Sequence, residues 1–474
     1  MIIRIDYPQP SVRLDLWGGT SGTFDGIDRF GRTVDQHWQN NTNTTPVDID
    51  RYKYGYDQDS NRLWKQNTVG SGFDESYTYD ALNRLTQMQR GTLNSAHTAI
   101  TGTPAKQQNW TLDPLGNWND FSTQTSGATD LSQTRTHDKD NQITGFSSTP
   151  AWATPPGYDA AGNMTSFPKP DSPANTFTTT YDAWNRMATV SDSSGTVATY
   201  QYDGKGRRTV KATSTETRRF YFTSSWQDIE ERTGTSTSAD LQYVWGIRYV
   251  DELICRDDSS SNRLFACQDA NFNLTCIIDS SGVVQERYLF EPYGPRAIND
   301  PTGTSRPSSS FGWVIGHQGL LIDLDILQTY NRLRWVGNLI GRFLRFDPLG
   351  YYDSDNLFEY LRSSPVNHLD AEGAGAWCSC SAPPPVAGFL TAPPCLSTTV
   401  GKVWGVASAG TCSPKAQPWW LNEFCYPSVV AYQFLRCGGP CTWAQRFICT
   451  ATTGVPSPVY RWIPVGVPTI TACP

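Results

Sequence analysis

The stretch Tyr181-Asp182-Ala183-Trp184-Asn185-Arg186-Met187-Ala188-Thr189-Val190, with its continuation Thr196-Val197-Ala198-Thr199-Tyr200-Gln201-Tyr202-Asp203, decides the fold. An Asp after an aromatic residue accepts hydrogen bonds from backbone N–H groups two residues on and so nucleates a turn. Gly or Asn four residues after the Tyr tolerates the left-handed backbone that closes a tight hairpin. The flanks alternate as strands do and are joined by a second turn at Asp192–Gly195. The stretch reads as a β-hairpin. A lone hairpin is marginal in water, so it needs neighbours.

The neighbours are present. The unit recurs as Tyr56-Asp57 with Asn61-Arg62-Leu63 (one residue longer) and as Tyr79-Asp80 with Asn83-Arg84-Leu85. Looser copies are Leu112-Asp113 with Gly116-Asn117-Trp118 and His137-Asp138 with Asn141-Gln142-Ile143. Tyr158-Asp159 with Gly162-Asn163-Met164, the 181 unit, and Tyr202-Asp203 with Gly206-Arg207-Arg208 complete seven copies at a period of about 22. Stacked side by side, such hairpins make a strip with the tyrosines on a common edge, and stacking supplies the core that one hairpin lacks.

Composition agrees. Of 474 residues 38% are hydrophobic, 12% aromatic and 18% charged, with 39 Gly and 31 Pro. A disordered polyampholyte does not carry 17 Trp, 22 Tyr and 20 Phe. A helical bundle favours Ala, Leu, Glu and Lys over Thr, Tyr, Trp and Gly. The net charge of −7 has no basic stripe, which argues against a nucleic-acid partner. Met1 to Leu16 mixes Arg4, Asp6, Arg13 and Asp15 into its apolar residues and lacks a signal-peptide core. Trp377 to Val400 is uncharged, but five prolines exclude a spanning helix. The expectation is no membrane span, with either another export route or a chain lacking its native N-terminus.

The unit resembles the YD repeat of the Rhs/YD-repeat family, which includes bacterial wall-associated proteins, toxin-complex C components and teneurins. Tyr243-Val244-Trp245-Gly246-Ile247-Arg248-Tyr249-Val250-Asp251 resembles the opening of the family's Rhs core domain. Gln268-Asp269-Ala270-Asn271, Asp279 to Tyr288 and Glu291-Pro292-Tyr293-Gly294 resemble its middle. Gly341-Arg342-Phe343-Leu344-Arg345-Phe346-Asp347-Pro348-Leu349-Gly350 and Pro365-Val366-Asn367-His368-Leu369-Asp370 resemble its end most closely. The resemblance implies an all-β, spiral, shell-like strip of YD-repeat hairpins, an Rhs core domain and a variable C-terminal polypeptide. The expected division is a repeat-like segment 1–49, repeats 50–210, a connector 211–240, the core domain 241–373 and a Cys/Pro/Trp-rich region 374–474.

The resemblance also implies chemistry. Asp347 and Asp370 match two family aspartates that cut the chain at the core's own border. Two close carboxylates cannot both ionise, so one stays protonated as acid while the other activates water. Arg345 stands one residue further back than the arginine of many self-cleaving members, and Asp370-Ala371-Glu372-Gly373-Ala374 departs from their Asp-Pro-x-Gly-Leu. Cleavage is expected after Gly373 or Ala374. The other reading is that both aspartates only cap turns.

Asp323 with Asp325 and Asp353 with Asp355 lack the spacing of a calcium loop and read as turn residues. Five scattered histidines build no recognisable triad. Neither metal nor cofactor is expected. The repeat aromatics suit sugar stacking, although core packing explains them as well.

Residues 371–474 hold nine of the twelve cysteines, fourteen of the prolines, no Asp and no His. That is the profile of an exported disulfide scaffold with one thiol left over, or of an end that does not fold. The expected function is a structural β-shell that carries or displays this effector in a secreted, cell-surface or toxin-delivery setting. The alternatives are an aspartic self-cleaving core that releases the tail and a cell-wall carbohydrate-binding module. Expected partners are the chain's own C-terminal segment, a shell-completing or delivery protein, and cell-wall carbohydrate.

Overall fold

A computed structural model describes residues 4–16, 26–42, 45–351 and 354–375 with side chains, and further strand backbones at 377–378, 403–406, 430–436, 442–451, 460–464 and 469–472. The Tyr-Asp units are the turns their residues imply. Asp182 Oδ1 accepts the N–H of Trp184 at 2.9 Å and of Arg186 at 3.0 Å, and Asn185 takes φ 59°. Asp80, Asp113, Asp138, Asp159 and Asp203 accept the same two N–H groups. The Tyr56-Asp57 unit is not longer than the rest. Ser60, at φ 71°, takes its left-handed position, and Asp57 N still donates to Asn61 O.

The turn also persists where its spelling is lost. It recurs at Thr223–Gln227 with Trp226 at φ 65°, at Asp258–Asn262, at Asp269–Asn273 with Phe272 at φ 56°, at Asp279–Val283 and at Asp300–Thr304. The segment 211–240 and the first part of 241–373 are therefore further hairpins of the same kind.

Successive turns are tied in both directions. The residue four after the Asp reaches forward: Arg84 Nη1 donates to Asp113 O, Arg186 Nη1 to Asp203 O and Arg207 Nη1 to Thr223 O. Where that residue is Asn, its amide meets the next turn's side chain, as Asn163 Nδ2 meets Asn185 Oδ1 at 3.0 Å. The tyrosine reaches back, with Tyr181 Oη donating to Met164 O and Tyr202 Oη to Met187 O. The arginine tips thereby add a second donor to Asp113 O, Asp203 O and Thr223 O, which already accept the N–H of Gly116, Gly206 and Trp226 within their own turns.

In the two long sheets, strand order among the described residues follows the sequence. Eleven antiparallel strands run from Arg4–Tyr7 to Ile143–Thr149, and fifteen from Gly157–Tyr158 to Ser305–Arg306; neither sheet closes into a barrel. Segment 311–369 packs against both. Val336, Phe343, Tyr360 and Leu361 join Leu85, Met88, Trp110 and Trp118 of the first sheet. Ile326, Tyr330, Trp335 and Leu344 join Met164, Phe167, Met187 and Val190 of the second. Trp313, wholly buried, lies with Leu253, Leu274 and Tyr288. The earliest strands pack on the later ones too: Gln36 Nε2 and Trp38 Nε1 both donate to Gln268 O, at 2.6 and 2.9 Å.

Residues 380–474, with 30–32, form a separate unit. In it Thr442–Ala451 pairs antiparallel with Val430–Arg436, Tyr460–Pro464 and Thr469–Ala472, and Val403–Val406 adds to Val430–Arg436. The expected disulfides of the tail fall on side chains outside the described residues. Among the described residues no helix is long and apolar enough to cross a membrane.

Candidate functional site

Asp347 follows the buried run Arg342–Leu344 and opens the turn Asp347-Pro348-Leu349-Gly350. Its Oδ1 accepts Leu349 N at 2.8 Å, and Gly350 N donates to Asp347 O. Asp370 opens a later turn, and its Oδ1 accepts the N–H groups of Glu372, Gly373 and Ala374 at 3.1, 2.8 and 3.2 Å. Both aspartates therefore cap turns with one oxygen. The second oxygens converge on Arg334, whose Nη2 lies 2.7 Å from Asp347 Oδ2 and 3.6 Å from Asp370 Oδ2.

All three side chains are nearly sealed from solvent, at 2% exposure for Arg334, 5% for Asp347 and 1% for Asp370. Burial pushes the Asp370 carboxyl up to about 6, against the pull of Arg334 and of the backbone N–H groups that favour its anion. Arg334, Phe343, Asp347, Glu359 and Asp370 line a cavity of about 10 Å³, close to the space one water needs. The Arg334 guanidinium lies over the Phe343 ring, 3.4 Å from its centroid, which fixes the plane of its fork.

The segment after Asp370 is held carbonyl by carbonyl. Arg332 Nη1 donates to Ala371 O, Leu333 N to Glu372 O at 3.2 Å, and Arg334 Nε to Gly373 O. Gly373 takes φ +70°, and a side chain there would strike Asn331 O. One arginine thus touches both aspartates and the carbonyl of the expected Gly373–Ala374 cleavage bond.

Arg345 does not share that position. Its guanidinium donates to Trp184 O and Leu333 O at 3.3 and 3.0 Å, beside a cleft of about 490 Å³ lined by Tyr181, Trp184, Tyr202, Lys205 and Trp335. Asp323 is wholly buried and bonded to Arg208 and Lys211, and Lys211 also meets Asp325. Asp355 O accepts a hydrogen bond from Asn141 Nδ2, and Asp353 lies outside the described residues. Sequence reasoning missed Arg334. The available signal was a pair of arginines, Arg332 and Arg334, inside a run that is otherwise apolar or amide.

The RHS Repeat family model matches residues 174–219, which hold the 181 and 202 turns. A solved Tc holotoxin pore from Photorhabdus luminescens, carrying a TccC3 mutation, superposes on 79% of this chain and 18% of its own, with a TM-score of 0.61 at 16% identity. The chain is an Rhs/YD-repeat protein. A crystal structure of TcdB2-TccC3 also matches this Rhs protein, over 78% of its residues and 19% of the other chain, with a TM-score of 0.57 at 17% identity. Among curated proteins, the tRNA3(Ser)-specific nuclease WapA of Bacillus spizizenii is 25% identical over 226 residues. The tRNA nuclease WapA of Bacillus subtilis is 24% identical over 226 residues. Each alignment covers 46% of the Rhs protein and 9% of the WapA chain.

Proposed function

We propose that this chain is a β-strip scaffold that carries its C-terminal region in an extracellular or surface setting, and that it cuts its own link to that region once, after Gly373 or Ala374. The likeness to toxin-complex components and WapA supports the carrier role. The nuclease activity in the WapA name is not transferred, because the match spans 9% of that protein.

One observation carries the cleavage reading: Arg334 holds Asp347, Asp370 and the Gly373 carbonyl together at a buried cavity with room for about one water. In this reading protonated Asp370 serves as acid and ionised Asp347 activates a water. Arg334 stabilises the oxyanion that forms on Gly373. Purified protein held at mildly acidic pH is expected to split near residue 374, with Asp370→Asn and Asp347→Asn remaining whole. A wild-type chain that stays intact after long incubation overturns the reading.

A second reading has its own observation. Trp184 is 71% exposed beside the cleft that Tyr181, Tyr202, Lys205 and Arg345 line. A flat aromatic face beside cationic groups suits an acidic saccharide of the cell wall. Retention on an acidic glycan column that Trp184→Ala abolishes supports it, and equal passage of both proteins removes it.

A further inference from the structure

Among the described residues, Cys255, Cys267 and Cys276 are free thiols gathered in one apolar cluster with Tyr7, Val12, Leu14, Trp38, Phe265 and Ile278. Their relation is not symmetric. Strands Arg263–Gln268 and Leu274–Ile278 form a hairpin whose register sets Cys267 directly opposite Cys276. Cys255 faces Val244 on one side and Phe265 on the other, so it meets Cys267 only diagonally.

Directly opposed residues of an antiparallel pair have Cα atoms about 4.5–5.5 Å apart, inside the range a disulfide spans. Diagonal neighbours, at about 7–8 Å, fall outside it. The repeats give an internal check on side-chain direction. Cys267 and Cys276 stand two residues before and seven after the turn residue Asp269, as Thr180 and Thr189 do about Asp182. Thr180 and Thr189 are register partners, and their hydroxyl oxygens lie 2.6 Å apart.

We propose that Cys267 and Cys276 form a cross-strand disulfide when the chain folds in an oxidising compartment, and remain a buried thiol pair when it folds in a reducing one. A thiolate of one cysteine attacks a small-molecule or protein disulfide, releasing one thiol and forming a mixed disulfide. The second thiolate then displaces the remaining sulfur. Two protons and two electrons leave the pair, and the oxidant ends as two thiols. Both cysteines are wholly buried in the finished fold, beneath strands Arg4–Tyr7, Val12–Asp15 and Asp35–Asn40. The bond therefore forms before those strands cover the hairpin. Burial, with the Cys276 thiol beside it, holds the Cys267 thiol well above its usual range, which makes the pair inert once covered.

The staple closes the hairpin whose tip anchors distant segments. Gln268 O receives Gln36 and Trp38, and Asn271 Nδ2 donates to Pro365 O at 3.1 Å. The test uses the full chain, refolded in a mixture of oxidised and reduced glutathione, unfolded with an alkylating agent present, and cut before Asp269 by an Asp-specific protease. The expected product is the Cys267 peptide joined to the Cys276 peptide, with Cys255 alkylated. Melting should also fall several degrees further on reduction in the wild type than in Cys267→Ser. Full alkylation of both cysteines in a cooperatively folded chain, linkage to any other cysteine, or equal melting shifts in the two proteins would each overturn the proposal.

Discussion

Arg334 Nη2 lies 2.7 Å from Asp347 Oδ2 while the same side chain's Nε donates to the carbonyl of Gly373. Two acidic groups and a peptide oxygen are thereby fixed by one planar fork, a geometry that a lysine ammonium does not reproduce. Arg334→Lys is expected to keep the charge and much of the stability but to slow cleavage after residue 373 by roughly 100-fold, the scale of a lost oxyanion donor. Arg334→Gln removes the cation from two buried carboxylates and should cost roughly 3–5 kcal/mol. Urea unfolding beside a gel time course separates the two effects.

The Asp370 carboxyl, pushed up to about 6 by burial, predicts a pH window. Between its ordinary value of 3.8 and about 6 the folded chain keeps a proton that the unfolded chain has shed. This contribution to stability is fully present below that window and declines as pH rises through it, by roughly 3 kcal/mol in all. Asp370→Asn should flatten that part of the stability profile, which urea midpoints between pH 4 and 7 will read. Asp50, also buried and raised to about 6, keeps its own slope in both proteins. The cleavage rate should fall about tenfold per pH unit above 6, because the acid is then ionised.

The repeat turn makes a separate prediction. Asp182 accepts two N–H groups and the Arg186 Nε, the last at 2.7 Å, and these bonds to its anion hold its carboxyl below the usual range despite partial burial. Asp182→Ala should cost roughly 2 kcal/mol, since charged hydrogen bonds are lost and the N–H groups lose their partner. Asn185→Val should cost at least as much, because a β-branched residue resists φ 59°. Asn185→Gly keeps the left-handed backbone but loses the acceptor of Asn163 Nδ2, and should cost less, roughly 1 kcal/mol. Thermal melts of the three variants check the order.

The turns were legible in the sequence because their causes are local: Asp at the first position and a left-handed residue at the fourth act within five residues. Even the departures follow this rule, since Ser60 and Trp226 take the left-handed position without the expected spelling. The filling of the strip was not legible. Nothing local to residues 311–369 announces that Phe343 and Leu344 face different sheets, because that follows from both sheets being present at once. The aspartates could be named from their motif, but Arg334 reaches them only through the fold. Likewise the sequence shows Gly or Asn at the fourth turn position without saying why either is chosen. At Gly116 a side chain would meet Glu359, and at Gly162 it would meet Phe346. At these two turns segment 341–369 presses on the position and leaves no room for a side chain, whereas Asn83 and Asn185 fill the same backbone role elsewhere.

Gly341 is the sharpest case of that pressure. It takes φ +70°, and a Cβ built on it falls inside the indole of Trp118. That indole cannot retreat, because Phe121 and Tyr293 pack on it at ring-centroid distances of 4.9 and 4.7 Å and Arg135 lies 4.5 Å from its centroid. Gly341→Ala must therefore meet the left-handed strain of about 1–2 kcal/mol and an overpacking cost of about 1–3 kcal/mol together. The expected loss is roughly 2–5 kcal/mol. Trp118→Phe makes room for the new methyl group but cannot relieve the backbone. In a double-mutant cycle the Trp118→Phe background should recover the overpacking part and leave the φ-dependent part in place. Full recovery would mean the cost is steric alone, and no recovery would mean that Trp118 does not set it.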